Sequence, residues 1–455
     1  MTERQHFLHL SAQKAADETH RSKIGKAIGI YEQTVARTKT SQFKDWEQAR
    51  ALAAAIKNEA LARLPDLLEQ FEAKFIAAGG KVFWAETAAE AVKYILQIAQ
   101  QRRARKVVKS KSITTEEIQL NENLERAGLE VWESDLGELI VQLAGEKPYH
   151  IVTPAMHKSK AEIAQLFQEK LQAPPTDSAE ELTMIARRHL RQAYISSDIG
   201  ITGGNFLIAD AGAVVVTENE GNARLTMSCP AMHIALVGIE KILPRLSDLS
   251  LFLPLLATSG TGQQITCYNS IVRGPRQPHE SDGPQEMHVI LLDNGRAELY
   301  GRPHFREALR CIRCGACLNA CPVYRTIGGH SYRATYQGPI GAVLTPHYNG
   351  FAQYQHLSSA SSLCGACSTV CPVHIDLHHL LLENRHQAAV AGAIFFERAA
   401  MRMYAWMMSR PGRLQHARGI LRFLQSMGMI FPPARRIAPR LSKKSFREMW
   451  QAHER

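Results

Sequence analysis

Seven of the nine cysteines fall between Cys311 and Cys371, and no other feature limits the fold as tightly. The first run reads Cys311-Ile-Arg-Cys314-Gly-Ala-Cys317-Leu-Asn-Ala-Cys321-Pro322, the C-x2-C-x2-C-x3-C-P spacing of ferredoxin-type sites. Three cysteines so spaced can wrap three corners of an iron–sulfur cubane, while the short loop turns its amide N–H groups toward the sulfides. The cysteine before proline leaves that loop and, in two-cluster sites, serves the other cluster. The second run is Cys364-Gly-Ala-Cys367-Ser-Thr-Val-Cys371-Pro372. The spacing therefore predicts crossed pairing. Cys311, Cys314, Cys317 and Cys371 share one [4Fe–4S] cluster. Cys321, Cys364 and Cys367 share a second, [4Fe–4S] or [3Fe–4S]. Aligned on its proline, the second run has Ser361 where an eighth cysteine would stand.

Zinc is the competing reading, since C-x2-C pairs also bind zinc. It needs two pairs and gives no reason for a third cysteine at the same spacing or for Cys-Pro twice. Disulfides fit less well. The start of the sequence shows no apolar signal core, and clustered thiols without one point to a reducing compartment. A cytoplasmic location is expected. The longest apolar run, near Leu249 to Ala257, is too short to span a bilayer and contains Pro254. Cys229 and Cys267 lie outside any metal spacing and are expected to be buried small hydrophobes.

At 455 residues the chain suits two or three domains. Residues 1–75 read as an accessory helical layer without chemistry, with a new helix at Pro65. Residues 76–300 alternate strands and helices with short turns, which predicts a mainly parallel αβ sheet covered on both faces. Strands are expected at Lys81–Ala85, Arg105–Lys109, Leu129–Trp132 and His150–Thr153. Further ones are expected at Phe206–Ile208, Ala213–Thr217, His233–Val237, Thr266–Val272 and Met287–Leu292. Helices are expected at Glu86–Arg103, from a Thr114 cap to Ala127, and at Leu136–Leu143, Lys158–Leu171 and Ala179–Ser196. Gly204-Asn205, Gly221-Asn222 and Asn294-Gly295 read as turns. Residues 301–390 form the helical dicluster domain, in which the tyrosine-rich stretch Pro322–Leu363 is expected as an ordered loop layer over the clusters. The fold class is thus α/β plus α.

Residues 391–455 read as a basic helical region. From His386 to Arg455 there are 13 Lys/Arg and 3 Asp/Glu, a net of +10 out of +11 for the chain. No nucleic-acid-binding motif accompanies that charge, and no nucleic acid is expected. Tyr404, Trp406, Met407 and Met408 are expected to pack as helical core. The basic charge with Trp406, Phe423 and Trp450 suits an acidic partner subunit or a peripheral contact with an anionic membrane.

The block Cys321-Pro-Val-Tyr-Arg-Thr-Ile-Gly-Gly-His330 and then Gly338-Pro-Ile-Gly-Ala-Val-Leu344 resembles the lactate-utilisation protein B family. So do Ser134-Asp-Leu-Gly137, Ile199-Gly-Ile-Thr-Gly203, Asn219-Glu-Gly-Asn-Ala-Arg224 and His233-Ile-Ala-Leu-Val-Gly-Ile-Glu-Lys241. The resemblance covers about residues 70–390. It implies an αβ domain similar in fold to sugar-phosphate isomerases and CoA transferases. It also implies an iron–sulfur electron-transfer component of a system oxidising L-lactate to pyruvate. Two further lactate-utilisation proteins are implied as partners, one with a cysteine-rich domain and one with a second αβ domain. The family often reads Glu-Thr-Gly where this chain has Asp210-Ala-Gly212. No catalytic residue is carried over.

Removing two electrons from a 2-hydroxy acid calls for a hydride acceptor, yet no G-x-G-x-x-G follows a strand and no Walker loop occurs. Gly200-Ile-Thr-Gly-Gly204 has the wrong spacing. Lys109-Ser-Lys111-Ser112, between a strand and a helix, is a candidate anion site for the acid, with a capped solvated turn as the alternative. Glu220 is a second candidate, against a plain hairpin turn. A redox- or metabolite-sensing binding protein and a dehydrogenase acting alone remain the alternative functions.

Overall fold

A computed structural model describes residues 1–392, 395–427 and 441–453. Residues 1–386 form one compact unit and residues 387–455 a second.

Six strands build the main sheet: β1 (Lys81–Ala85), β2 (Lys106–Lys109), β3 (Glu130–Glu133), β4 (Ile199–Thr202), β7 (Met232–Gly238) and β10 (Glu286–Leu292). Their order is β1-β10-β7-β4-β2-β3, and every pairing is parallel. Parallel sheets are covered on both faces, so their strands can be apolar throughout. β7, Met-His-Ile-Ala-Leu-Val-Gly, is buried at all seven positions. The period of two still separates the faces. Ala235, Val237, Val289 and Leu291 join one core with Phe71 and Phe75 of the helix Leu64–Ala77. Ile234, Leu236, Ile290 and Leu292 join the opposite core with Ile95 and Ile98 of the helix Ala88–Gln101. Phe71 and Phe75 are fully buried, and cutting either to alanine costs about 3–5 kcal/mol.

The remaining strands, β5 (Phe206–Ile208), β6 (Ala213–Glu218), β8 (Ile242–Leu243) and β9 (Tyr268–Val272), form a second sheet in the order β8-β5-β6-β9. Here β6 is antiparallel to both β5 and β9, while β5 and β8 are parallel.

Several expectations change. His150 to Thr153 is a bent loop, not a strand. The His150 ring accepts the amides of Val152 and Thr153 at 3.0 and 3.2 Å, and this local bonding replaces a sheet ladder. The place in the sheet belongs to β4, where Gly200 is required by contact. A Cβ there would lie 1.9 Å from the Thr226 carbonyl oxygen. The helix after β2 is capped by Ser112, not Thr114, and ends at Glu117; a second begins at Leu120 after left-handed Gln119. Gly221-Asn222 starts the helix Asn222–Ser228 instead of a hairpin turn. The stretch 322–363 is a helical layer, including Pro322–Ile327 and Gly338–Tyr348, with Tyr324, Tyr332 and Tyr336 buried. Cys229 and Cys267 are exposed, so neither is a core residue.

The second unit contains the helices Phe395–Met408, Pro411–Ser426 and Phe446–His453. Tyr404 and Trp406, expected as core, are 55% and 57% exposed. The Arg413 guanidinium lies 4.2 Å over the Trp406 ring. Among the described residues no helix is long and apolar enough to cross a membrane.

Candidate iron–sulfur site and its buried charges

The two cysteine runs fold alike. In each, the residue before Cys-Gly-Ala-Cys and the glycine within it are left-handed: Arg313 (φ 60°) and Gly315 (82°), Leu363 (55°) and Gly365 (80°). Short helices follow, Ala316–Ala320 and Ala366–Val370, ending at extended Cys321 and Cys371. Each of those cysteines precedes a proline, which is free to begin the next segment because it has no N–H to lose. Gly315 also fits by size. A Cβ there would approach a Val152 methyl to 2.9 Å.

The loops turn amides toward sulfur. Arg313 N–H donates to Cys311 Sγ at 3.4 Å, Tyr324 N–H to Cys321 Sγ at 3.5 Å, and Ile375 N–H to Cys371 Sγ at 3.3 Å. The thiols divide by mutual electrostatics. Cys314 and Cys317 each feel Cys311 and Cys371. Cys321 feels Cys364, and Cys367 feels Cys321. Burial pushes Cys367 and Cys371 up to about 11 and Cys314 and Cys317 higher still. Cys364 is exposed and lowered, chiefly by the Ala366 amide and the Ser362 hydroxyl. Buried thiolates without a cation are costly. Soft donors gathered in this way, with amides aimed at sulfur, fit iron–sulfur ligation.

Arg50, on the helix Trp46–Ala62, braces the first group. Its Nε donates to the Cys371 carbonyl at 2.8 Å, its Nη2 donates to the Ser368 carbonyl at 3.2 Å, and Glu47 holds its Nη1 at 2.7 Å. Lys57 is two helical turns further on the same face. Its Nζ donates to the carbonyls of Glu240 (2.5 Å) and Ile242 (3.3 Å). The N-terminal helices, expected as an accessory layer without chemistry, thus contribute two buried cations that hold backbone carbonyls of other segments.

Lys57 reaches a buried charge network at the carboxyl ends of β7 and β10. Glu240 pairs with Arg296 (2.6 Å) and Arg313 (3.3 Å). Glu117 pairs with Arg296 at 2.8 Å and accepts from Asn294 at 2.7 Å and from Tyr336. Burial alone would push Glu240 up. Arg296 and Arg313 outweigh it and hold the carboxyl at about 2. Burial lowers Lys57 to about 7 and Lys241 to about 8. Sequence reasoning missed this network. Its only signals were Glu240-Lys241 inside a quoted motif and Arg313 between two cysteines.

The three candidate acid-binding residues are placed differently. Lys109 is fully buried and paired with Glu133 (2.7 Å) and Glu116 (3.2 Å), so its charge is already matched. Lys111 is half-buried and donates to the Val152 carbonyl. Glu220 lies at the surface, with its carboxylate accepting the Leu136 amide at 3.0 Å. Partial burial and the Asp135 charge push it up to about 7, while Lys111 pulls the other way. Lys111 and Glu220 thus share one electrostatic neighbourhood at the carboxyl ends of β2 and β3, and Lys109 lies beneath it.

Comparison with known proteins completes the picture. A family described as "LUD domain" matches residues 68–292, and "4Fe-4S dicluster domain" matches residues 307–375. "Lactate utilization protein B" of Bacillus cytotoxicus is 46% identical over 366 residues, covering 80% of this chain and 77% of that protein. The protein of the same name from Bacillus velezensis is 46% identical over 373 residues, covering 81% and 78%. "Uncharacterized electron transport protein YkgF" of Escherichia coli K12 is 42% identical over 391 residues, covering 85% and 82%.

Proposed function

The chain belongs to the lactate utilization protein B family, and from that premise we propose that it is the electron-transfer component of a multi-subunit system oxidising L-lactate to pyruvate. The observation that supports this reading is the gathering of seven cysteines in two alike loops, five of them buried and one, Cys364, open to the surface. Iron–sulfur clusters, when bound, supply one-electron carriers whose potentials follow charge, hydrogen bonding and exposure.

The chain's own residues would do the rest. Cys311, Cys314, Cys317 and Cys371 would hold one cluster, and Cys321, Cys364 and Cys367 the other. The amides of Arg313, Tyr324 and Ile375 would stabilise thiolate charge, as charge-assisted bonds do. Arg50 fixes the chain at Cys371. Cys364 at the surface gives a partner protein close approach to the second group. The acid would dock at the carboxyl ends of β2 and β3, with Lys111 facing its carboxylate and Glu220 near the hydroxyl. Ligands of parallel αβ sheets commonly bind at these ends. Two further lactate-utilisation proteins, one cysteine-rich and one with a second αβ domain, would supply the remaining machinery.

The test is turnover of L-lactate with an artificial electron acceptor, using the iron-reconstituted chain alone and with those two proteins. Turnover only in their company supports the proposal. Turnover by the chain alone would make it a complete dehydrogenase. No turnover in either case would favour a redox- or metabolite-sensing role.

A further inference from the structure

Four buried cations meet around Glu240: Lys57, Lys241, Arg296 and Arg313. Two buried carboxylates answer them, Glu117 and Glu240. Arg296 is fully matched, with both carboxylates on its guanidinium. The other three are not. The Arg313 side chain is 9% exposed, and its Nη1 is buried with no hydrogen-bond partner among the described residues. Its remaining contacts are one oxygen of Glu240 and the Tyr336 ring, 4.6 Å below the guanidinium. Lys241 is 6% exposed and makes no hydrogen bond or ion pair among the described residues. Lys57 is 1% exposed and bonded only to backbone carbonyls.

Uncompensated buried cations are among the most costly arrangements a protein can hold, unless an anion is present. The same three side chains border the first cysteine run. Arg313 stands in it, with its amide on Cys311 Sγ at 3.4 Å, and Glu240 ties it to the other two: its carboxylate lies 3.3 Å from Arg313, its carbonyl accepts from Lys57 Nζ at 2.5 Å, and Lys241 is next in the chain. Among the described residues, the cations beside the second thiol group are part-exposed and engaged. Arg325 turns to Glu32 and the Asn319 carbonyl, and Arg385 donates to the Ser358 and Ser361 carbonyls at 2.9 and 2.8 Å. The buried, under-matched charge is therefore on the side of Cys311.

We propose that Arg313, Lys57 and Lys241 are a built-in counter-charge for the cluster held by Cys311, Cys314, Cys317 and Cys371, raising its reduction potential while leaving that of the other cluster unchanged. Reduction adds a negative charge; the always-charged Arg313 and the protonated forms of Lys57 and Lys241, in a low-dielectric surrounding, favour the more negative state. These are positioning residues, since none is a ligand. The inference rests on the ligand grouping proposed above.

Full-length Cys364→Ala isolates the first cluster, and full-length Cys314→Ala isolates the second. The midpoint of each is read by redox titration followed by electron paramagnetic resonance, with iron content measured alongside. In the Cys364→Ala chain, Arg313→Gln and Lys241→Met should each change the oxidised-to-reduced ratio at fixed poise by about tenfold. That corresponds to a fall of about 59 mV for a one-electron couple. Arg313→Lys should restore most of it. In the Cys314→Ala chain, Arg313→Gln should move nothing. Lys241 lies outside the cysteine loops, so its variant answers the question even where Arg313→Gln loses iron. Retained iron with an unmoved midpoint, or an equal shift of both clusters, overturns the counter-charge alone. A Cys364→Ala chain that fails to keep about half the wild-type iron overturns the grouping, and the counter-charge with it.

Discussion

Ser361 takes the place in the second cysteine run that Cys311 takes in the first. Its Oγ accepts the Leu363 amide at 3.1 Å, two residues ahead, as Cys311 Sγ accepts the Arg313 amide at 3.4 Å. The left-handed turns at Leu363 and Arg313 make the two contacts equivalent.

A serine hydroxyl at a thiolate position is a poor ligand for soft iron. The second cluster should lose one iron on mild oxidation and show a [3Fe–4S] resonance signal. Ser361→Cys should suppress that signal. A wild-type chain that keeps its full iron complement and shows no such signal after mild oxidation would count against the labile corner.

Arg50 satisfies two carbonyls of the loop that ends at Cys371. Arg50→Met leaves both without that donor, at about 1–3 kcal/mol each when buried. Thermal unfolding should occur at lower temperature, and the first cluster should lose iron to a chelator faster than it does in wild type, with loss from the second cluster changed less. Unchanged stability would assign Arg50 no bracing role.

Glu240 has a native value near 2, below that of an unfolded glutamate near 4.3. The sign follows from the depression. The stability it contributes is present above pH ~4.3 and is lost as pH falls toward 2, on the order of 3 kcal/mol at 1.36 kcal/mol per pKa unit. Glu240→Gln should therefore be less stable than wild type at pH 7, with the gap narrowing below pH ~4. Denaturant melts across that range read it. A gap independent of pH would show that the carboxylate's charge is not what matters.

Removing residues 387–455 should leave iron content intact, because the seven cysteines lie in the other unit. The same deletion should abolish binding to vesicles rich in anionic lipid, and wild-type binding should fall with salt. The part of the basic tail at residues 428–440 lies outside the described residues. Equal binding to neutral vesicles, or none to anionic ones, would direct the exposed Trp406 and Tyr404 face to a protein partner instead.

Lys111→Met should weaken L-lactate binding at least tenfold by calorimetry, and Lys109→Met should instead lower stability. Lys109 is the buried partner of Glu133, and breaking such a pair costs about 3–5 kcal/mol. Equal affinity in wild type and Lys111→Met would remove Lys111 from the acid site.

Much of this molecule was legible locally. The cysteine spacing pointed to the loops, and the apolar runs of β7 and β10 marked the sheet. β4 was hidden because Gly200 interrupts its apolar pattern, and β8 because it is only two residues long. His150 to Thr153 has the composition of a strand, and only the folded ring-to-amide contacts show a turn. The charge network was illegible for a different reason. Lys57 and Glu240 are 183 residues apart and Arg296 and Glu117 are 179 apart, so no periodicity within one element could pair them. The tail was misread because a helical apolar stripe looks the same whether it faces a core or the surface.

Arg50 and Cys371 are 321 residues apart in the chain. During synthesis at about 5–20 residues per second, the arginine waits roughly 16–64 s before the carbonyl it serves exists. Until then neither the brace nor the first thiol group can be complete, since Cys371 is the last of its cysteines to be made. Metal loading of that group is thus tied to arrival of the distal cysteine run, and a chain stalled before it presents three of that group's four thiols and a guanidinium held only by its helix neighbour Glu47.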